Sequence, residues 1–170
     1  MTDFRQQNDF QGPDAVTEPI GDVRDDQALD LQAPPVIFPG ASGPESAYRT
    51  AHDLLARRFP KEALEVIEPA LEEDPGNTGL RSLRAWAYML RAQLAKAEDD
   101  LRALVEDDPS DVWCRHALGR VLERQSRLED ALPHLRLAAV MSDEYDHHAA
   151  VYRVQNRLAQ QAGSDATPDA

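Results

Sequence analysis

The sequence predicts an all-α fold, a solenoid of helix hairpins stacked side by side, and three observations carry that prediction. Asp74-Pro75-Gly76-Asn77 and Asp108-Pro109-Ser110-Asp111 set two prolines 34 residues apart. Apolar and small residues recur at spacings of three, four and seven, as in Ala63–Ile67–Ala70, which places them on one face of a helix. Aromatics make up only 6% of the 170 residues, which leans away from a β-sandwich and towards Ala/Leu-rich helices.

Moving along the chain by the same period aligns three units, residues 44–77, 78–111 and 112–145. Ala51, Ala85 and Gly119 share one position, and Leu54, Tyr88 and Leu122 share the next apolar one. Ala63, Ala97 and Ala131 align further on, then Ile67, Leu101 and Leu135, then Ala70, Leu104 and Ala138. A small residue on each helix of a hairpin lets the two backbones approach, and larger apolar residues one turn away fill the seam.

The elements come in order from these positions. The first unit predicts helices near 46–57 and 60–73, the second ending ahead of Pro75, because proline lacks an N–H and restricts the residue before it. Helices near 78–91 and 94–106 repeat the arrangement up to Pro109, and helices near 111–124 and 128–141 complete the third unit. That unit ends in Ser142-Asp143 instead of a proline, so its second helix is expected to bend straight into the next one. This seventh helix, residues 146–161, pairs Ala149, Val151, Tyr152 and Leu158 with Arg153, Gln155, Asn156 and Arg157. A polar-faced terminal helix is what a repeat array needs to cover its last apolar surface.

The flanks differ from this middle. Residues 1–43 hold eight acids, Asp3 through Asp30, against Arg5 and Arg24, and are broken by Gly12-Pro13, Pro34-Pro35 and Pro39-Gly40. Too little apolar surface is available there to offset ordering entropy, so the segment reads as a disordered acidic arm. Within it, residues 33–39 (Ala-Pro-Pro-Val-Ile-Phe-Pro) form an apolar, proline-stiffened patch, either a linker or a short extended docking motif. Residues 162–170 return to Gly, Ser, Asp, Thr and Pro and are expected to fray as a disordered tail.

Bulk composition narrows the function classes. Eighteen Lys and Arg face 31 Asp and Glu, a formal net charge of −13, which argues against nucleic acid and against an anionic membrane surface. No apolar run approaches the roughly 20 residues that span a bilayer. The start of the chain lacks the basic and apolar run of a secretory signal, and the single cysteine, Cys114, suits a reducing compartment. The expectation is a soluble cytoplasmic protein.

The unit resembles the tetratricopeptide repeat, with small residues at positions 8 and 20, apolar ones at 11 and 24, alanine at 27 and proline at 32. The resemblance covers the three units in phase. It departs where the first apolar position holds Ala47, Arg81 and Arg115, and where the seventh holds Thr50 and Arg84 before Leu118. It implies a right-handed superhelical α-solenoid of three hairpins with a C-terminal capping helix, first helices lining a concave groove and second helices the convex back. On that arrangement the arginines gather on the first helices and the cap, and the acids on the second helices, giving an acidic outside and a less acidic inside.

The same resemblance implies the groove residues. The first unit contributes Tyr48, His52, Leu55 and Ala56, and the second Ser82, Trp86, Met89 and Leu90. The third contributes Trp113, His116, Arg120, Glu123 and Arg124. Aromatics supply anchor area and arginine pairs a carboxylate, so a peptide groove is plausible chemistry, while Trp86 and Trp113 equally fit packing between repeats. The carboxylate clamp by which some family members hold chaperone tails wants Lys, Asn, Asn, Lys and Arg where this chain has Tyr48, His52, Leu83, Trp113 and Ala117. That clamp is absent.

Catalytic templates find nothing: no Gly-rich phosphate loop, no Gly-x-Ser-x-Gly, no His-Glu-x-x-His. Cys114, His116, His134, His147 and His148 match no standard ligand spacing, and Cys114 lacks an adjacent base and reads as a small buried thiol. No cofactor and no metal are expected. The sequence thus predicts a non-catalytic adaptor for another protein or peptide, of acidic character if the arginines meet it. The acidic arm is a second candidate occupant of the groove, and a homo-oligomer is compatible with the exposed end repeats. The alternative is a small chaperone for a secreted or aggregation-prone client.

Overall fold

Hairpins joined to one another by Asp-Pro loops organise the computed structural model of the protein, which describes residues 33–34, 43–142 and 144–165. The arm at 1–32 and 35–42, and the tail beyond 165, lie outside the described residues. Among the described residues there are seven helices and no strand: α1 (Gly43–Ala56), α2 (Pro60–Glu73), α3 (Thr78–Leu90), α4 (Leu94–Asp107), α5 (Val112–Arg124), α6 (Leu128–Met141) and α7 (Tyr145–Asp165). The predicted all-α solenoid is the fold observed, with helix ends within a few residues of those read from the period.

The two kinds of turn are built differently. Between units the loop ends in a capping residue: the Asn77 side chain accepts from the Leu80 N–H at 3.0 Å, and the Asp111 side chain accepts from the Cys114 N–H at 2.8 Å. Each satisfies one of the unpaired donors at a helix start. Within units the turn has no side-chain cap at Phe59, Gln93 or Arg127. The chain instead passes through a left-handed residue, Arg58 (φ 64°), Ala92 (φ 54°) or Ser126 (φ 61°), at the same place in every repeat. None of these is glycine, so each turn carries a Cβ where the backbone resists one.

Close approach inside a hairpin shows most clearly at Gly119. A Cβ placed there would lie 2.6 Å from the side chain of Leu135 on α6, so any side chain here forces Leu135 to shift. Its counterparts Ala51 and Ala85 are fully buried in the equivalent seams. Two apolar clusters result, one centred on α1–α3 with Leu55, Ile67 and Leu83, the other on α4–α7 with Leu101, Leu118, Leu122 and Leu135. Tyr88 and Trp113 pack against both and join them.

Several expectations are corrected. α6 does not bend into α7: it stops at Met141, and Ser142 is extended (φ −140°, ψ 132°), although no proline enforces the break. α7 runs to Asp165, four residues into the segment expected to fray, since extending a docked helix adds a hydrogen bond per residue and no proline intervenes before Pro168. α1 begins at Gly43 instead of 46, with proline in its first turn, where the missing N–H has no helical partner in any case. Pro69 and Pro133 lie inside α2 and α6, which continue through them.

Candidate peptide-binding groove

Two of the arginines that replace apolar residues in the repeat, Arg81 and Arg84, are answered by acids of the second helices, while Arg115 donates to the Pro109 carbonyl. Arg84 on α3 forms a fork with Asp100 on α4, Nε at 2.8 Å and Nη2 at 2.6 Å, and sits 3.6 Å from Glu68 on α2. The side-chain hydrogen bond to Asp100 raises the Arg84 pKa, outweighing burial. Arg81 reaches Asp107 at 2.7 Å, at the far end of the same hairpin. These two arginines therefore stitch α3 to α4 and α2, and do not add positive charge to the inner face. The sequence pattern alone assigns them to the inside because it sorts residues by helix and not by the side of the helix.

The predicted groove residues separate by burial. Leu55 and Met89 are 0% and 3% exposed and fill seams of the two clusters, so they present no side-chain surface to a ligand. Ser82 is also buried: its hydroxyl donates to the Thr78 carbonyl at 2.9 Å and lies 3.7 Å from Cys114 Sγ, in the contact between α3 and α5. The reason is common to all three. First helices pack on the first helices of neighbouring units, so part of each inner face turns into the seam. Trp113, packed against both clusters, joins them in that structural role.

An aromatic row runs along the inner side of the first two units. Tyr48 stacks on His52 with ring centroids 6.1 Å apart, and His52 meets Trp86 at the same separation, tilted by 57°. Tyr48 and Trp86 are buried and belong to the first cluster, so His52, half-buried, is the most accessible of the three. Tyr48 closes over Gly79, whose missing side chain leaves the ring room to pack.

The third unit and α7 build a different surface, in which Arg120 and Arg124 are half-buried and His116 is buried. Glu123 on α5, 5% exposed, receives Arg153 of α7 through two bonds at 2.6 and 2.8 Å. Arg120 Nε lies 3.4 Å and Arg157 Nη1 3.6 Å from the same carboxylate. Arg124 donates to the Met89 carbonyl at 2.9 Å. Three guanidiniums thus gather around one carboxylate, with Arg124 and the acid Asp146 near enough to Arg120 to act on its charge. Burial first, and then the charge of Arg153, lowers the Arg120 pKa.

Beside this cluster α7 borders a shallow, open cleft with Tyr145, His148, Tyr152, Arg153, Asn156 and Arg157, of which Tyr145 and Tyr152 are exposed. These residues recur at intervals of three and four, one stripe of α7. The period is readable in the sequence, where α7 presents itself only as a cover for the array. His116 and His147 close the inner end of the α5–α7 contact, rings 4.3 Å apart. Burial holds His116 down to about 3 and also lowers His147, so both are neutral in the fold. Cys114 is fully buried, and burial pushes its thiol up to about 12. Among the described residues, no three His, Cys, Asp or Glu side chains converge as a metal site, and no helix is long and apolar enough to cross a membrane.

Comparison with known proteins places this geometry. The family model described as tetratricopeptide repeat matches residues 54–113. No curated protein matches the chain. Among solved structures, the Sgt2 TPR domain from Aspergillus fumigatus is similar at 19% identity and a TM-score of 0.68, over 80% of this chain and 91% of that one. The first TPR domain of human RPAP3 is similar at 21% identity and a TM-score of 0.65, over 72% of this chain and 99% of that one. The first TPR of Spaghetti (RPAP3), bound to the HSP90 peptide SRMEEVD, is similar at 19% identity and a TM-score of 0.64, over 68% and 95%.

Proposed function

Since the chain is a tetratricopeptide-repeat protein, we propose that it is a non-catalytic adaptor holding an extended, acidic segment of another protein against its inner helices. The observation that carries this reading is the gathering of Arg120, Arg153 and Arg157 around Glu123, with Arg124 beside Arg120, next to the α7 cleft. Among the described residues two acids, Glu123 and Asp146, face these four guanidiniums, and arginine forks match carboxylates in geometry as well as charge. His52 and the cleft tyrosines Tyr145 and Tyr152 supply flat apolar area for neighbouring side chains. The Spaghetti (RPAP3) domain is bound to a peptide with two glutamates and a terminal aspartate. This chain has Tyr48, His52, Leu83, Trp113 and Ala117 where the clamp for such tails would stand, so the segment it takes differs from a chaperone tail. A reducing compartment such as the cytoplasm suits its one buried thiol.

The test is capture of partners from a lysate by wild type and Arg157→Glu, then titration of the recovered segment as a labelled peptide. The charge reversal is expected to weaken binding at least tenfold, with affinity falling as salt rises. Equal binding by both forms overturns the reading. Recovery of one dominant secreted client, bound through apolar surface and insensitive to salt, would favour the chaperone alternative.

A further inference from the structure

Ala33 and Pro34 are the described residues ahead of α1, and neither is helical. Pro34 is buried, and Ala33 packs against the apolar cluster that contains Tyr48, Leu83 and Trp86. The chain before α1 is therefore held on the first two units at this point. Upstream of it lie 32 residues carrying eight acids and two arginines. At the other end of the solenoid, among the described residues, Arg120, Arg124, Arg153 and Arg157 outnumber Glu123 and Asp146.

Reach and charge fit together. Passing from α1 to α7 over α3 and α5 takes three interhelix steps of about 8–10 Å, or about 25–30 Å in all. A flexible chain of the arm's length has an r.m.s. extent of about 30 Å. A segment tethered at Pro34 can thus place its carboxylates at the arginine cluster without ordering along its whole length. On the back of the molecule the second helices and their exits present acids, among them Glu72, Glu73, Asp99 and Asp107, all exposed, which repel the same segment.

We propose that the protein's own acidic arm, residues 3–30, occupies the inner face in cis, anchored by Ala33-Pro34 on the first units and paired with the arginine cluster of α5 and α7. This rests on the arginine-lined surface being the peptide site, and makes the arm an internal competitor of the partner. Tethering supplies an effective concentration of about 1 mM. An arm that binds with a dissociation constant of about 0.1 mM then weakens the apparent affinity for an external acidic peptide about tenfold.

The experiment uses the full chain. Ile20→Cys puts a nitroxide label in the arm, and the buried Cys114, its thiol pushed up to about 12, stays unlabelled at neutral pH. The expected result is paramagnetic broadening of the amides of Arg124, Arg153 and Arg157 but not of Glu72, Asp99 or Asp107, relieved by about 0.5 M NaCl. Uniform or absent broadening overturns the proposal. So does broadening seen only when isotope-labelled and spin-labelled molecules are mixed, which would place the arm on a second copy.

A fluorescent octa-aspartate peptide separates this proposal from the one beneath it. With the eight arm acids changed to Asn or Gln, its affinity is expected to rise about tenfold over that of the unaltered chain. Equal affinity for both forms, lost in Arg157→Glu, overturns the arm and leaves the groove standing. Binding to neither form removes the groove reading itself.

Discussion

Ala92→Gly is the substitution whose outcome the backbone dictates most directly. Ala92 is exposed, sits between α3 and α4 at φ 54°, and its N–H donates to the Met89 carbonyl at 3.1 Å. Its Cβ costs about 1–2 kcal/mol in the left-handed conformation. Glycine removes that cost but loses about 0.5–1 kcal/mol more chain entropy on folding. The net expectation is a gain of about 0.5–1 kcal/mol. For a folded unit of this size, that raises Tm by about 2–4 °C. The turn hydrogen bond and the exposed surroundings are unchanged, so no packing term competes. Ser126, also exposed, occupies the same place in its unit, and glycine at both should add nearly independently, for about 1–2 kcal/mol. Urea melts of the single and double variants give the test. A double variant no more stable than wild type refutes the claim that these turns store strain.

Gly119→Ala should act in the opposite sense. Alanine gains about 1 kcal/mol in helix propensity, but its Cβ at 2.6 Å from Leu135 forces overpacking of about 1–3 kcal/mol; a net loss near 1 kcal/mol in a denaturant melt is expected, reduced when Leu135→Ala is added. Lowering the pH should destabilise the fold through His116. Its folded pKa, about 3, lies below the ordinary 6.5, so the unfolded chain binds the extra proton. Stability is full above pH 6.5 and falls by up to about 1.4 kcal/mol per unit below it, towards pH 3. Melts at stepped pH should show a shallower slope for His116→Gln, with His147 and His134, both lowered, sustaining the remainder. Cys114 should resist iodoacetamide at pH 8 in the native protein and react once urea unfolds it, as mass spectrometry would show. Rapid native alkylation would contradict its burial.

Much of the architecture is legible in the sequence because each unit repeats one packing problem. Ala63, Ala97 and Ala131 mark the close contacts, and Pro75 and Pro109 mark the exits, with sterics that act locally. The within-unit turns are less visible, since Arg58, Ala92 and Ser126 are not turn formers and only their backbone reveals what they do. The break between α6 and α7 is hidden for the same reason: Ser142 carries no local signal strong enough to require it.

The site divides along the same line. Residue type and period alone placed Arg120, Arg124, Arg153 and Arg157 on first helices and the cap, and they alone identified the acidic arm. Only the tertiary structure decided which of the inner residues are surface. Leu55, Ser82 and Met89 turn into seams, and Arg81 and Arg84 cross to Asp107 and Asp100. The helical period assigns a residue to a face, but the rotation of each helix against its neighbours settles whether that face meets water or another helix. That rotation is the sum of many contacts distant in sequence, so no single unit encodes it.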